Sequence, residues 1–136
     1  ARKILILARE SGLDIELNQI KNNSFLPKEV IESSSKVEFY KSLENNSNHF
    51  NKILEDAENK KCKLKYVAEL KNGVASVGLK QIKQNHDFYN LEGSDNIILF
   101  YTNRYANQPL IVKGAGAGSD VTAAGIFADI IRIGKR

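Results

Sequence analysis

The sequence predicts an α+β fold, a two-layer arrangement in which helices pack on a mixed β-sheet. Three observations predict it. Residues 62–70 alternate apolar and more polar side chains, run into Asn72-Gly73 and resume at Val74, the pattern of a β-hairpin. Between residues 35 and 61 apolar residues recur at three- and four-residue intervals, the period of a helix. Near the C terminus two apolar runs are followed by a glycine-rich segment and a last helical stretch, a strand–loop–helix order. A length of 136 residues suits a single domain or one piece of a larger one.

The elements are justified in chain order. Residues 1–11 read as a helix that is apolar almost all round, hence buried on most sides, stopping at Ser11-Gly12. Leu13, Ile15 and Leu17 alternate with Asp14 and Glu16, which predicts a strand over 13–21, broken by Asn22-Asn23-Ser24. Pro27 sits where a short helix over 28–32 can begin. Residues 35–61 form two helical parts. Val37, Tyr40 and Leu43 stripe the first; Phe50, Ile53, Leu54 and Ala57 stripe the second; asparagines 45, 46 and 48 lie between them as caps.

In the hairpin, Cys62, Leu64, Tyr66, Ala68 and Leu70 mark a buried face. Asn72-Gly73 is the preferred pair for a type I′ turn, because both central residues need positive φ. Ala75, Val77 and Leu79 line one face of the return strand, and its pattern slips at Lys80-Gln81-Ile82, the mark of a bulge. After Gly93-Ser94, residues 96–101 are apolar enough for a central strand. Residues 109–112 predict another buried strand with Pro109 at its first position, and a helix spans about 120–133.

Composition narrows the function. Apolar residues make up 42% and charged residues 26%, which supplies a core and excludes collagen, a disordered tail or a disulfide scaffold. No apolar run approaches the roughly 20 residues of a membrane-spanning helix, so no membrane partner is expected. The net charge of +4 comes from scattered lysines without interleaved aromatics, so no nucleic-acid partner is expected either. The single cysteine, Cys62, favours a reducing compartment, and a cytoplasmic location is expected. Methionine is absent and the chain opens on Ala1-Arg2-Lys3, which reads as a fragment of a longer protein.

The sharpest motif is Gly114-Ala115-Gly116-Ala117-Gly118, between an apolar strand and a helix. Glycines at alternate positions let a ligand or another backbone come within contact distance, and the helix start next to them suits negative charge. Ser119 or Asp120 can cap that helix. No Gly-Lys-Ser/Thr comes after the glycines, so this is not a Walker A loop. The third glycine comes one residue too early for the dinucleotide fingerprint. Ligand contact and tight helix–sheet packing both remain open. His49 and His86 have no clustered partners, so no metal site is expected, and Cys62 reads as a small hydrophobe.

The run from Gln108 through Pro109-Leu110-Ile111-Val112-Lys113 to Gly118, continuing into Val121-Thr122-Ala123-Ala124-Gly125-Ile126-Phe127-Ala128-Asp129, resembles the C-terminal end of homoserine dehydrogenases. The opening Ala1-Arg2-Lys3-Ile4-Leu5-Ile6-Leu7-Ala8-Arg9-Glu10 resembles the helix after that family's Gly-x-Asp-x-x-x-Lys signature. Leu26-Pro27 and the hairpin are similar to the dehydrogenase portion of bifunctional aspartokinase–homoserine dehydrogenases. The resemblance covers the whole chain, most closely at its two ends.

The resemblance implies an oxidoreductase that interconverts L-aspartate 4-semialdehyde and L-homoserine with NADPH or NADH, in threonine, methionine and isoleucine biosynthesis. It implies the catalytic and dimerisation regions of such an enzyme as one domain over 1–136, without the Rossmann domain. Residues 108–133 would return to that nucleotide-binding domain, and the assembly would be a homodimer or higher homo-oligomer. Lys3 falls on the lysine that the family uses as proton donor. Gly118 falls on the glycine that contacts the nicotinamide nucleotide, with Gly116 in the same loop. The signature's substrate-binding aspartate would lie upstream of Ala1, as would the sodium-binding segment, so the fragment alone is expected to be inactive. Asp120 departs from the family, which often has a neutral residue there. The alternatives are a non-catalytic amino-acid-binding regulatory module and a structural dimerisation module whose glycine loop only packs.

Overall fold

The computed structural model describes residues 1–135. The chain divides into two compact units, residues 1–89 and 90–136. The first unit is an α+β arrangement as expected. Its elements are α1 (Arg2–Glu10), a 3₁₀ turn (Leu17–Gln19), β1 (Lys21–Asn23), α2 (Lys28–Ile31), α3 (Lys36–Asn45), α4 (Ser47–Asn59), β2 (Cys62–Lys71) and β3 (Val74–Lys83). The sheet order is β1-β3-β2, with β1 parallel and β2 antiparallel to β3. Helices α1 and α4 pack on this mixed sheet.

Helix α1 ends as the sequence dictates. Gly12 takes φ +92°, its N–H donates to the Arg9 carbonyl, and the Leu13 N–H donates to the Ala8 carbonyl. That pair of bonds is a Schellman cap, which needs a residue free to adopt positive φ. The helix is one-sided rather than buried all round. Ile4 and Ala8 are buried and Leu5 and Leu7 half-buried, while Ile6 is 60% exposed. The core is small: Ile4 and Ile20 against Ala75 and Val77, with Leu5, Leu7, Ile15 and Leu70 around them.

Residues 13–20 are not a strand. The Arg9 guanidinium donates to the Ile15 carbonyl at 3.0 Å and pairs with Glu16 at 2.7 Å, so the backbone group that a ladder would use is taken by a side chain. The strand instead comes later, at Lys21–Asn23, in the polar stretch expected to break the chain. Only its backbone is needed, and the buried Ile20 anchors it. It runs close to β3 at Asn23↔Gly78, where a Cβ on Gly78 would meet the Asn23 Cβ at 2.9 Å.

The hairpin forms as expected, with Asn72 at φ +52° and Gly73 at φ +75° joining Lys71 to Val74. No bulge interrupts it: pairing is continuous from Lys71↔Val74 to Cys62↔Lys83. The slip in the pattern has another cause. Strand β3 is central and uses both faces, burying Ala75 and Val77 on one and Ile82 on the other. The apolar face expected of β2 is only partly covered, with Tyr66 56% exposed, because β2 is an edge strand.

Ser35 caps α3 by accepting the Glu38 N–H at 3.2 Å, and the Asn46 amide donates to the Ser42 carbonyl at its other end. The Val37–Tyr40 stripe of α3 stays exposed. Helix α4 buries Ala57 and half-buries Phe50 and Ile53 of its predicted stripe, while Leu54 is left exposed.

The second unit comprises β4 (Asp95–Phe100), β5 (Leu110–Ala115) and α5 (Ser119–Gly134). The two strands form an antiparallel pair and nothing more among the described residues, so neither is a central strand. β4 is at most half-buried and β5 exposed throughout, because no layer covers them. Pro109 lies one residue ahead of β5, where its missing N–H costs no ladder bond. Helix α5 is apolar yet exposed along its length.

Candidate functional site

The glycine segment is the turn out of β5 into α5. The β4–β5 ladder ends at Asp95↔Ala115, and one more bond carries it into the loop, from the Gly116 N–H to the Ser94 carbonyl at 3.2 Å. Lys113 and Asp95 form an ion pair at 3.4 Å beside this exit. The chain then turns through Gly118, at φ +138° and ψ 153°, and enters α5. This backbone conformation is essentially reserved for glycine.

The three glycines meet different surroundings. A Cβ on Gly116 would overlap the carboxamide of Asn96. A Cβ on Gly118 would meet no protein atom within 4 Å, and neither would one on Gly114. Tight packing therefore accounts for Gly116 and leaves Gly118 bare. Gly118 is also the N-cap of α5, with no side-chain cap hydrogen bond. Neither Ser119 nor Asp120 caps; the Ser119 hydroxyl instead donates to the Asp120 carboxylate at 3.3 Å. The open approach to Gly118 and a first turn without a side-chain cap suit negative charge, which the Asp120 carboxylate opposes.

Lys3 sits in the first turn of α1, in the first unit, and its side chain is exposed. It flanks the buried Ile4, so the helix face that Ile4 fixes also fixes where Lys3 emerges. Gly116 and Gly118 share one loop of the second unit.

The two histidines are held by backbone contacts. His49 Nε2 bonds the Phe25 carbonyl at 2.9 Å, and His86 Nδ1 accepts the Phe88 N–H at 3.1 Å. Cys62 is a half-buried free thiol. No group of three metal-ligating side chains occurs among the described residues. An open depression of about 680 Å³ lies in the β4–β5 connection around Arg104, Tyr105 and Gln108, and none of Lys3, Gly116 and Gly118 lines it. Asn96 was not singled out from the sequence. Its only signal there is its place at the head of an apolar run.

Comparison with known proteins gives a consistent result. The family model described as homoserine dehydrogenase matches residues 1–131. A bifunctional aspartokinase/homoserine dehydrogenase 2, chloroplastic, from Zea mays is 44% identical over 135 residues, covering 98% of this chain and 15% of the relative. A homoserine dehydrogenase from Schizosaccharomyces pombe is 38% identical over 136 residues, covering 98% of this chain and 36% of the relative. Among solved structures, a Candida auris protein described as of unknown function superposes with a TM-score of 0.86 at 38% identity, over 99% of this chain and 38% of that one. The chain thus spans between about a seventh and two fifths of the length of these proteins.

Proposed function

The chain belongs to the homoserine dehydrogenase family, and from that premise we propose that it supplies the proton-transfer lysine and part of the nucleotide site of an enzyme interconverting L-aspartate 4-semialdehyde and L-homoserine. The observation that carries the reading is Gly118, whose glycine-only backbone faces open space at an uncapped helix start. Gly118 and Gly116 would hold the nicotinamide nucleotide, NADPH or NADH, through bare backbone. When bound, the nicotinamide supplies or accepts the hydride.

Reduction of an aldehyde leaves an alkoxide that must be protonated. Lys3, presented from the first turn of a helix anchored by Ile4 and Ala8, places an ammonium group where it polarises that oxygen and gives up the proton. In the reverse direction the same amine takes the hydroxyl proton of homoserine. The family resemblance further implies substrate-binding carboxylates in other parts of such an enzyme and a homo-oligomeric working form, and both belong to this proposal.

The test is Lys3→Ala in the full-length enzyme, assayed in both directions, as semialdehyde-dependent nucleotide oxidation and as homoserine-dependent nucleotide reduction. A lost general acid lowers kcat by about 10²–10⁴-fold while cofactor KM stays near its original value. A loss under about fivefold in both directions removes Lys3 from the chemistry.

A further inference from the structure

We propose that Asn96 is a positioning residue for the cofactor loop: its carboxamide, lodged against the bare Cα of Gly116, fixes the path by which residues 116–118 reach the nicotinamide nucleotide. The inference rests on the assignment of that loop to the nucleotide site. In the β-ladder Asn96 stands opposite Gly114, yet a Cβ on Gly114 would meet no atom within 4 Å. The Asn96 side chain therefore leans away from its direct partner and onto the diagonal position, Gly116. The atoms that would collide with a Gly116 Cβ are its Nδ2, Cγ and Oδ1.

The contact is tied to the backbone. The Ser94 carbonyl accepts the Gly116 N–H at 3.2 Å and the Asn96 amide at a long 3.5 Å. One oxygen thus links the last rung before the loop to the side chain that covers it. Two residues later the chain adopts the φ +138° of Gly118, where an added Cβ would meet no protein atom within 4 Å. The Gly116 N–H makes the bond that carries the ladder beyond Ala115. A side chain that holds this point sets the direction in which residues 117 and 118 leave the ladder.

The geometry makes a specific demand on a double-mutant cycle. Asn96→Ala removes all three atoms that a Gly116 Cβ would strike, so it should suppress the damage done by Gly116→Ala. In the full-length enzyme, Gly116→Ala should weaken nucleotide binding about tenfold, and Asn96→Ala/Gly116→Ala should recover at least about threefold of that loss. Asn96→Ala alone should raise cofactor KM about threefold with kcat and Tm nearly unchanged. Without nucleotide it should speed amide hydrogen exchange at residues 116–118 about tenfold, since the loop opens without its clamp. Asn96→Ser, which also shortens the side chain, serves as a second variant should the alanine change impair folding.

Additive single and double effects, or unaltered exchange at residues 116–118, would overturn the assignment. Gly118→Val separates this proposal from the reading beneath it. If Gly118→Val weakens nucleotide binding while the Asn96–Gly116 cycle shows no coupling, Asn96 is not the positioning residue and the loop still binds cofactor. If Gly118→Val leaves nucleotide binding intact, the cofactor loop itself is misassigned and the proposal falls with it.

Discussion

Replacing Gly118 by valine tests the cofactor loop most directly, and the structure sets the size of the effect. At φ +138° and ψ 153° the backbone occupies a region that residues with a Cβ avoid, at a cost on the order of 1–3 kcal/mol, and β-branching puts valine at the upper end. No protein atom lies within 4 Å of the added Cβ, so the chain itself offers no clash. The strain is relieved by shifting the loop, which no buried residue of the second unit resists. Restoring the binding geometry must then repay the strain, which corresponds to about a 5- to 150-fold rise in nucleotide KM. The assay is initial-rate homoserine oxidation by the full-length enzyme at saturating homoserine with varied nucleotide, alongside the melting temperature. Tm should change little. A lower Tm with nucleotide KM within about twofold would refute the reasoning and make the loop a packing element.

Two further predictions concern the first unit. Gly78→Ala places a Cβ 2.9 Å from the Asn23 Cβ and 3.0 Å from its carbonyl oxygen. Strand β1 must move, and unfolding should become easier by about 1–3 kcal/mol, read from denaturant titration; an unchanged midpoint would show that the edge strand yields freely. The Glu69 carboxyl is held below the usual carboxylate range, chiefly by the hydrogen bond from Lys80, against a smaller opposing effect of desolvation. A depressed carboxylate pKa contributes stability above its unfolded value of about 4.3 and loses it as pH falls through the folded value. Lys80→Ala should therefore cost less than about 1 kcal/mol at neutral pH, because both side chains are over 40% exposed, and nothing once Glu69 is protonated. A difference from the parent protein that did not shrink on acidification would exclude the pair as its source.

Much of the fold was legible because local chemistry and tertiary outcome agree. Gly12 and Asn72-Gly73 had to take positive φ, and each does. Asn46 reads as a capping residue, and its amide donates to the Ser42 carbonyl at the end of α3. The misreadings share one cause: hydrophobic pattern reports what a segment is able to bury, and burial also needs a covering layer. Residues 13–17 alternate like a strand but spend their backbone on Arg9, while the polar 21–23 pair through backbone alone. The apolar β5 and α5 are exposed along their whole length, with Phe127 64% exposed.

The candidate site shows the same division at finer grain. In the sequence, Gly114-Ala115-Gly116-Ala117-Gly118 is one feature, with packing and ligand contact as rival explanations for all of it. In the structure the rivals separate by position. Gly116 is glycine because a neighbouring strand's carboxamide occupies the place of its Cβ, and that neighbour, Asn96, is twenty residues away in sequence with no motif to mark it. Gly118 is glycine because of its backbone angles, and no contact within the chain demands the bare Cα. Packing thus explains the entry to the loop and fails at its end. Gly116 is tied to a neighbouring side chain and Gly118 to its own backbone angles, which is why substitutions at 116 and 118 must be compared with each other rather than pooled.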